Sequence, residues 1–476
     1  MSMTSVAAPG TSKKISISDL PGLLIGSDTT VPTLHGPMPY INFDNAASTP
    51  TFLHIASEVT SFLRWYSNVH RGTGFKSLLS SWAFEQSRDI VADFVGADLS
   101  KQVVIFTKNS TEAINKLANR FPFRKNDVIL TTLMEHHSNE LPWRRVGFVE
   151  HIGLNADGTI SKEDFQAKLK QFGPKVKLVA ITGASNVTGY VNDIDYFARE
   201  THKAGARIMI DAAQLVPHRP IDMKPNDPEH KIDFLVFSAH KMYAPFGVGV
   251  LIAERPIFEQ GDPETVGGGV VDIVTLEEAY WTELPEKEEA GTPDIVGVVA
   301  LAKAIRMFQQ VGWDAIINHE ADLTSYALTE LKKIPGVTLY GDTDPANALH
   351  RLGVISLNIG SVPHALAAAV LSYEGAIGVR SGCFCAHTYV KCLLNVSSEA
   401  SRTLENQILA RDRSSIPGTI RMSFGIYNTK EEIDRFVKMV SKIASGDYSK
   451  DYVLNKEKGE YTLKDFTFDF GKYYSL

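Results

Sequence analysis

Two short apolar runs end on residues that can do chemistry. Ile208, Met209 and Ile210 stop at Asp211, and the Phe-Leu-Val-Phe run at 234–237 stops at Ser238, followed by His240 and Lys241. Apolar runs of this length between turn-formers are expected of strands buried on both faces of a parallel sheet. Ligands of open α/β sheets bind beyond the carboxyl ends of such strands. A carboxylate at one strand end and an amine at the next therefore mark a candidate site, although an Asp and a Lys in two loops are more often plain surface charges. One cofactor uses both. Pyridoxal phosphate takes a lysine as a Schiff base and an aspartate as partner to its pyridinium nitrogen.

Further motifs stand in order along the chain: NVHRG at 68–72, MEHHSN at 134–139, DAAQ at 211–214, SAHKMYAPFGVG at 238–249 and RSGCFCAH at 380–387. Together they resemble the class V aminotransferases, and within them the group II cysteine desulfurases and selenocysteine lyases. The resemblance runs from about residue 41 to 443. It implies the pyridoxal phosphate fold-type I architecture, in which Lys241 carries the cofactor and then serves as base at the substrate's Cα. Asp211 would keep the ring nitrogen protonated, and His136, as a catalytic residue, would lie against the ring, restrain it and relay protons during its chemistry. Gln214 and Asn186 would contact the phenolic oxygen, with Asn186 also near the substrate. The turn at Ser110 and Thr111, with Ser238 and His240, would hold the phosphate. Hydroxyls at a helix start are also ordinary N-caps, so Thr111 is expected to serve both ways. Thr292, in a Gly-Thr-Pro turn, would reach the partner's phosphate across a homodimer interface. Arg380 has the planar fork that suits an amino-acid carboxylate, or a structural ion pair.

The cysteines separate the reactions this cofactor allows. By the resemblance Cys385 is the persulfide carrier, which makes L-cysteine to L-alanine the expected conversion, with sulfur then passed to an acceptor protein. Either Arg380 or a protonated His387 would favour its thiolate. The alternative is a C–S lyase acting by β-elimination on a cysteine conjugate, which releases pyruvate and ammonia and needs no protein thiol. A non-catalytic scaffold is a third reading, disfavoured by the intact Asp211, Lys241 and Arg380. No metal is expected, because only His387 joins Cys383 and Cys385 as a nearby ligand. A Cys383–Cys385 bridge would be strained, and Cys392 is expected to pack in a core.

The supporting elements follow from periodicity. Strands are expected at 102–106, 127–132, 176–182 and 208–210, alternating with helices from 109, 196–204 and 294–310. That alternation predicts an α/β fold with a mostly parallel, doubly wound sheet. From 301 a smaller α+β domain is expected, with helices at 315–333, 364–374 and 430–443 and strands at 337–340 and 354–359. The domains then read as an N-terminal arm at 1–40, a large domain at 41–300, a small C-terminal domain at 301–445 and a tail at 446–476. Residues 393–417 make an unusually long polar connection. The tail holds eight Phe and Tyr in 31 residues, with Phe466, Phe468 and Phe470 alternating as in a docked strand.

Composition excludes other classes. A net charge of −7 over 476 residues argues against nucleic-acid or membrane-surface binding. Only three cysteines, clustered at 383–392, do not make a secreted disulfide framework. No apolar run approaches the roughly 18 residues of a membrane span. No apolar h-region marks the first twenty residues. A cytoplasmic location is the expectation.

Overall fold

The computed structural model describes residues 14–70 and 72–476. Residues 1–13 of the expected arm, and Arg71 of the 68–72 motif, lie outside the described residues. Seven strands form the central sheet: β1 (Gln102–Thr107), β2 (Val128–Thr132), β3 (Phe148–Ile152), β4 (Val176–Thr182), β5 (Arg207–Asp211), β6 (Phe234–Ser238) and β7 (Gly249–Glu254). Their order is β1-β7-β6-β5-β4-β2-β3. Only β7 runs antiparallel to its neighbours, so the sheet is mostly parallel, as expected.

Why these runs are apolar throughout is visible in where alternate residues go. Val104, Phe106, Ile208, Ile210, Leu235 and Phe237 enter one core. Val103, Ile105, Met209, Phe234 and Val236 enter another on the opposite face. Helix α1 (Ser110–Arg120) closes the second core with Ala113, Ile114 and Leu117. Helices α2 (Lys162–Phe172), α3 (Ile194–Lys203) and α4 (Ile295–Val311) close the first through Phe165, Phe197 and Val298. Each such buried side chain contributes about 1.5–3 kcal/mol, which fixes the strand register.

The smaller half has its own sheet: β8 (Val337–Tyr340), β9 (Val354–Ile359), β10 (Arg380–Gly382) and β11 (Thr419–Ser423), in the order β8-β9-β11-β10 and antiparallel throughout. Helices α5 (Trp313–Leu331), α6 (His364–Gly375) and α9 (Lys430–Ser445) pack on it through Leu328, Leu371 and Phe436. Between β10 and β11 lie α7 (His387–Leu393) and α8 (Ser398–Leu409). The long connection at 393–417 thus contains a helix, started by Ser397 accepting from Ala400 N–H.

Two boundaries differ from expectation. Ile41 and Phe43 pack into the smaller core, because Ile41–Asn42 pairs in parallel with Ile377–Gly378. Helix α4 stays with the large core to its end, past residue 300. A buried carboxylate joins the halves. Glu320 on α5 meets His218 Nδ1 at 2.8 Å, accepts from Gly353 N–H at 2.8 Å, and pairs with Arg219.

The arm and the tail converge on α6. Leu20 and Leu24 of the arm insert into the large core, and Leu34 N–H donates to Tyr373 O at 2.8 Å. The tail folds as a hairpin, Tyr452–Asn455 with Glu460–Leu463. Phe466 and Phe468 do not form the expected strand. They close on Tyr373, with Phe468 stacked at 5.2 Å and Phe466 edge-on at 5.5 Å, so alternation here serves an aromatic cluster. Among the described residues no single helix is long and apolar enough to cross a membrane.

Candidate active site

A cavity of about 340 Å³ opens at the carboxyl ends of the central strands, where the two halves meet. Ser110, Thr111, His136, Asn186, Asp211, Gln214, Ser238, His240 and Lys241 line it from the large half, and Arg380, Cys385 and Arg421 from the small one. The parallel register places Thr182 beside Asp211, and Ser238 follows at the next strand end. Sequence reasoning therefore assembled one site, except for Thr292. In this chain Thr292 lines a separate concavity with Asn68, His70 and Gly269.

At one end of the cavity sits the start of α1. Its N-cap is Asn109, whose side chain accepts from Glu112 N–H at 3.0 Å, so Thr111 is not the cap that was expected. Asn109 wins because it precedes the helix and has extended backbone. The hydroxyls line the cavity in linked pairs: Ser110 N–H donates to Ser238 Oγ at 2.8 Å, Ser238 Oγ donates to Ser110 Oγ at 3.0 Å, and Thr111 Oγ1 lies 2.7 Å from Ser138 Oγ. Gly249 makes this packing possible, since a Cβ there would lie 2.3 Å from the Asn109 carbonyl carbon. A helix N-terminus ringed by hydroxyls and a neutral imidazole suits a phosphate. The imidazole is His240, taken down to about 4 by burial and by Lys241.

Another part of the lining carries a buried carboxylate suited to a cation. Asp211 is buried, and its carboxylate accepts from Ala213 N–H at 3.0 Å. Burial raises its pKa, with Ala213 N–H and Lys241 opposing. A buried anion in that position gains from a cationic group bound against it. Lys241 lies on the turn after β6. Burial lowers its pKa to about 8, with Arg421 adding to the effect and Asp211 and Cys385 opposing. Its amine is therefore within reach of the neutral, nucleophilic form. His136 is brought to about 3 by burial first, then by Lys241, His137 and Arg421. Ser138 N–H donates to its Nδ1 at 3.1 Å, which leaves the proton on Nε2. A ring fixed in this way offers a flat face to a group bound in the cavity.

Gln214 and Asn186 have partners in the chain already: Gln214 Nε2 donates to Ala46 O and Asn186 Nδ2 to Phe384 O, both at 2.8 Å. Each retains a second N–H and its amide oxygen. Arg380 is half exposed and pairs with Asp44 at 2.9 Å. The other oxygen of Asp44 accepts from Arg421, also at 2.9 Å.

Arg421, Asp44 and Glu135 escaped the sequence reading. Arg421 is buried, donates to Asn186 O at 3.0 Å and stacks on Phe384 at 4.9 Å. Its Nε has no hydrogen-bond partner. A guanidinium between the apolar neighbours Ile420 and Met422 of a buried strand was the available signal. Glu135 is pushed by burial to about 8, and Thr132, Thr182 N–H and Asn139 oppose the rise. It braces the ends of β2 and β4 behind the cavity.

Cys385 is exposed and lines the cavity, whereas Cys383 is buried. The Cys383 thiol donates to Pro417 O at 3.0 Å, and burial drives its pKa to about 11. It is a protonated structural thiol. Cys392 is exposed, not core as expected, because Tyr389 and Val390 form the buried face of α7. His387 is not a cation either. Burial and then Lys391 lower its pKa, and its ring stacks on His137.

The class that this fold and site define is matched directly. The aminotransferase class-V family model covers residues 41–436, and the chain belongs to that family. A probable cysteine desulfurase of Halalkalibacterium halodurans is 36% identical over 414 residues, spanning 85% of this chain and 93% of that protein. Among solved structures, the apo cysteine desulfurase from Thermococcus onnurineus NA1 aligns with a TM-score of 0.77 at 31% identity, over 93% of this chain and all of that one. The cysteine desulfurase CsdA of Escherichia coli, in an S-sulfonic acid form, aligns with a TM-score of 0.71 at 27% identity, over 86% of this chain and 96% of that one. The architecture is that of the fold-type I enzymes.

Proposed function

We propose that this protein is a pyridoxal phosphate-dependent cysteine desulfurase, converting L-cysteine to L-alanine with the sulfur held as a persulfide on Cys385. The observation that carries the reading is one cavity lined by Lys241, Asp211 and an accessible Cys385 thiol. The names of the relatives support the same reading. Bound there, pyridoxal phosphate supplies an electron sink for bonds broken at the substrate's Cα.

The chain's own residues do the rest. Asp211 would accept a hydrogen bond from the protonated ring nitrogen and keep it cationic, and His136 would lie against the ring face. Ser110, Thr111, Ser238 and His240 would hold the phosphate. Lys241 would carry the cofactor and, with its amine free, would move the Cα proton of the substrate. The substrate carboxylate is received by Arg421 and Asn186, with Arg380 at the rim; Arg421 is the better placed, being buried beside Asn186. Cys385 then attacks the substrate Sγ as thiolate. The S–Sγ bond forms, the Cβ–Sγ bond breaks, and its electron pair with a proton completes alanine. The persulfide sulfur passes to an acceptor protein. Thr292 completes the phosphate site of a second subunit in a homodimer, which accounts for its distance from its own cavity, and the protein works in the cytoplasm.

The lyase alternative needs no thiol, and Cys385 in the cavity favours the desulfurase. Product analysis decides between them. L-cysteine should yield alanine without pyruvate, and Cys385→Ser should abolish alanine release. Pyruvate from both proteins would transfer the assignment to the lyase.

A further inference from the structure

The turn that carries Cys385 adopts a backbone its residues do not favour. Ala386 N–H donates to Cys383 O at 2.8 Å and closes a tight turn. Its central residues, Phe384 and Cys385, have φ of 52° and 55°. Left-handed backbone at two successive non-glycine residues persists only where the surroundings impose it.

Two groups hold the turn from the large half. Asn186 Nδ2 donates to Phe384 O at 2.8 Å, and His137 N–H donates to Cys385 O at 2.7 Å. The His137 side chain reaches further. Its Nε2 accepts from His387 N–H at 3.3 Å and lies 2.9 Å from His387 Nδ1. The two rings stack at 4.6 Å, with planes 10° apart. His387 opens α7, so its N–H has no acceptor within the helix. An imidazole from a distant segment supplies one, immediately after the strained turn. The surroundings keep that acceptor available. Burial and His387 lower the His137 pKa, Arg144 adds to this and Glu140 opposes it, while burial and Lys391 lower that of His387.

We propose that His137 is a positioning residue for Cys385: its imidazole, clasped to His387, holds the strained turn so that the thiol stays directed at the substrate sulfur. The proposal rests on the reading of Cys385 as the sulfur acceptor. Pro417 and Arg421 hold Cys383 and Phe384 from the small half, and Asn186 and the His137 backbone hold Phe384 and Cys385, so the clasp adds a hold on His387, just past the thiol. Neither imidazole of the clasp lines the cavity.

The test compares holoenzyme carrying His137→Leu, His137→Gln and His387→Ala. Without substrate, amide exchange in residues 384–391 should quicken about tenfold in His137→Leu. It should quicken also in His387→Ala, and stay near wild type in His137→Gln, whose amide oxygen can accept in place of Nε2. With L-cysteine, kcat for alanine should fall about tenfold in His137→Leu with KM within about twofold, and recover in His137→Gln. Unchanged exchange in His137→Leu and His387→Ala, or a His137→Gln as impaired as His137→Leu, overturns the clasp. A wild type that makes no alanine sinks the desulfurase reading instead, and the exchange result still decides the clasp.

Discussion

The amine of Lys241 and the guanidinium of Arg421 show what single residues contribute. With Lys241 lowered to about 8 chiefly by burial, about a tenth is neutral at pH 7. Only the neutral amine condenses with an aldehyde, so cofactor capture by apoprotein should accelerate as pH rises from 6 and level off above about 8. Stopped-flow absorbance in the visible would follow it, and a rate flat across that range would contradict the assigned pKa. Lys241→Ala should bind the cofactor without that absorbance. Arg421→Lys keeps the charge but loses the fork, so KM for L-cysteine should rise roughly 10- to 100-fold. Steady-state kinetics would measure it, and an unchanged KM would return the carboxylate to Arg380. Asp211 and Lys241 were legible because one ends an apolar run and the other closely follows the end of the next. Arg421 was not, since nothing local links it to Asn186, 235 positions earlier. The resemblance singled out Cys385 rather than Cys383, and burial separates them the same way, with Cys383 enclosed and Cys385 exposed.

At the scale of elements, the joint between the halves rests on Glu320. Burial alone would raise its pKa, but His218 and Arg219 hold it at about 2. Glu320→Gln leaves both partners without their anion and should cost about 3–5 kcal/mol near neutral pH. A depressed carboxylate stabilises above its ordinary value of 4.5, and that stability disappears as pH falls toward about 2. The gap between wild type and variant in urea unfolding should therefore shrink across that interval, and a constant gap would refute the ion-pair account. Deleting residues 446–476 should destabilise the body by roughly 2–4 kcal/mol, since the buried Leu463 is lost and Tyr373 loses the rings of Phe466 and Phe468 that cover it. Calorimetry would show it, and an unaltered melting temperature would mean that the tail is merely draped. Strands β1, β2, β4, β5 and β6 and helices α1, α3, α4, α5, α6 and α9 were legible because their periodicity matches their burial, whereas β3, β11 and α2 were not singled out. The aromatic cluster at Phe466 and Phe468 was not, because alternation fits a strand equally well. The crossing of Ile41 and Phe43 into the smaller core depended on pairing with Ile377, a contact between distant segments.

For the molecule as a whole, the two halves each bring part of one cavity, and Thr292 lies outside it. The homodimer reading predicts that Thr292→Ala weakens cofactor retention although the residue lines a different concavity of its own chain. Equilibrium dialysis alongside sizing would test this, and a monomer with full cofactor affinity would remove the shared site. The central claim is that sulfur leaves L-cysteine for Cys385 in a cavity served by Lys241. Peptide mass mapping of holoenzyme mixed with L-cysteine, without reductant, measures it most directly. One extra sulfur atom should appear on the peptide carrying Cys385 in the wild type, and on none in Cys385→Ser or Lys241→Ala. Sulfur on Cys392 or Cys383 instead, or no persulfide while substrate is consumed, would contradict the account.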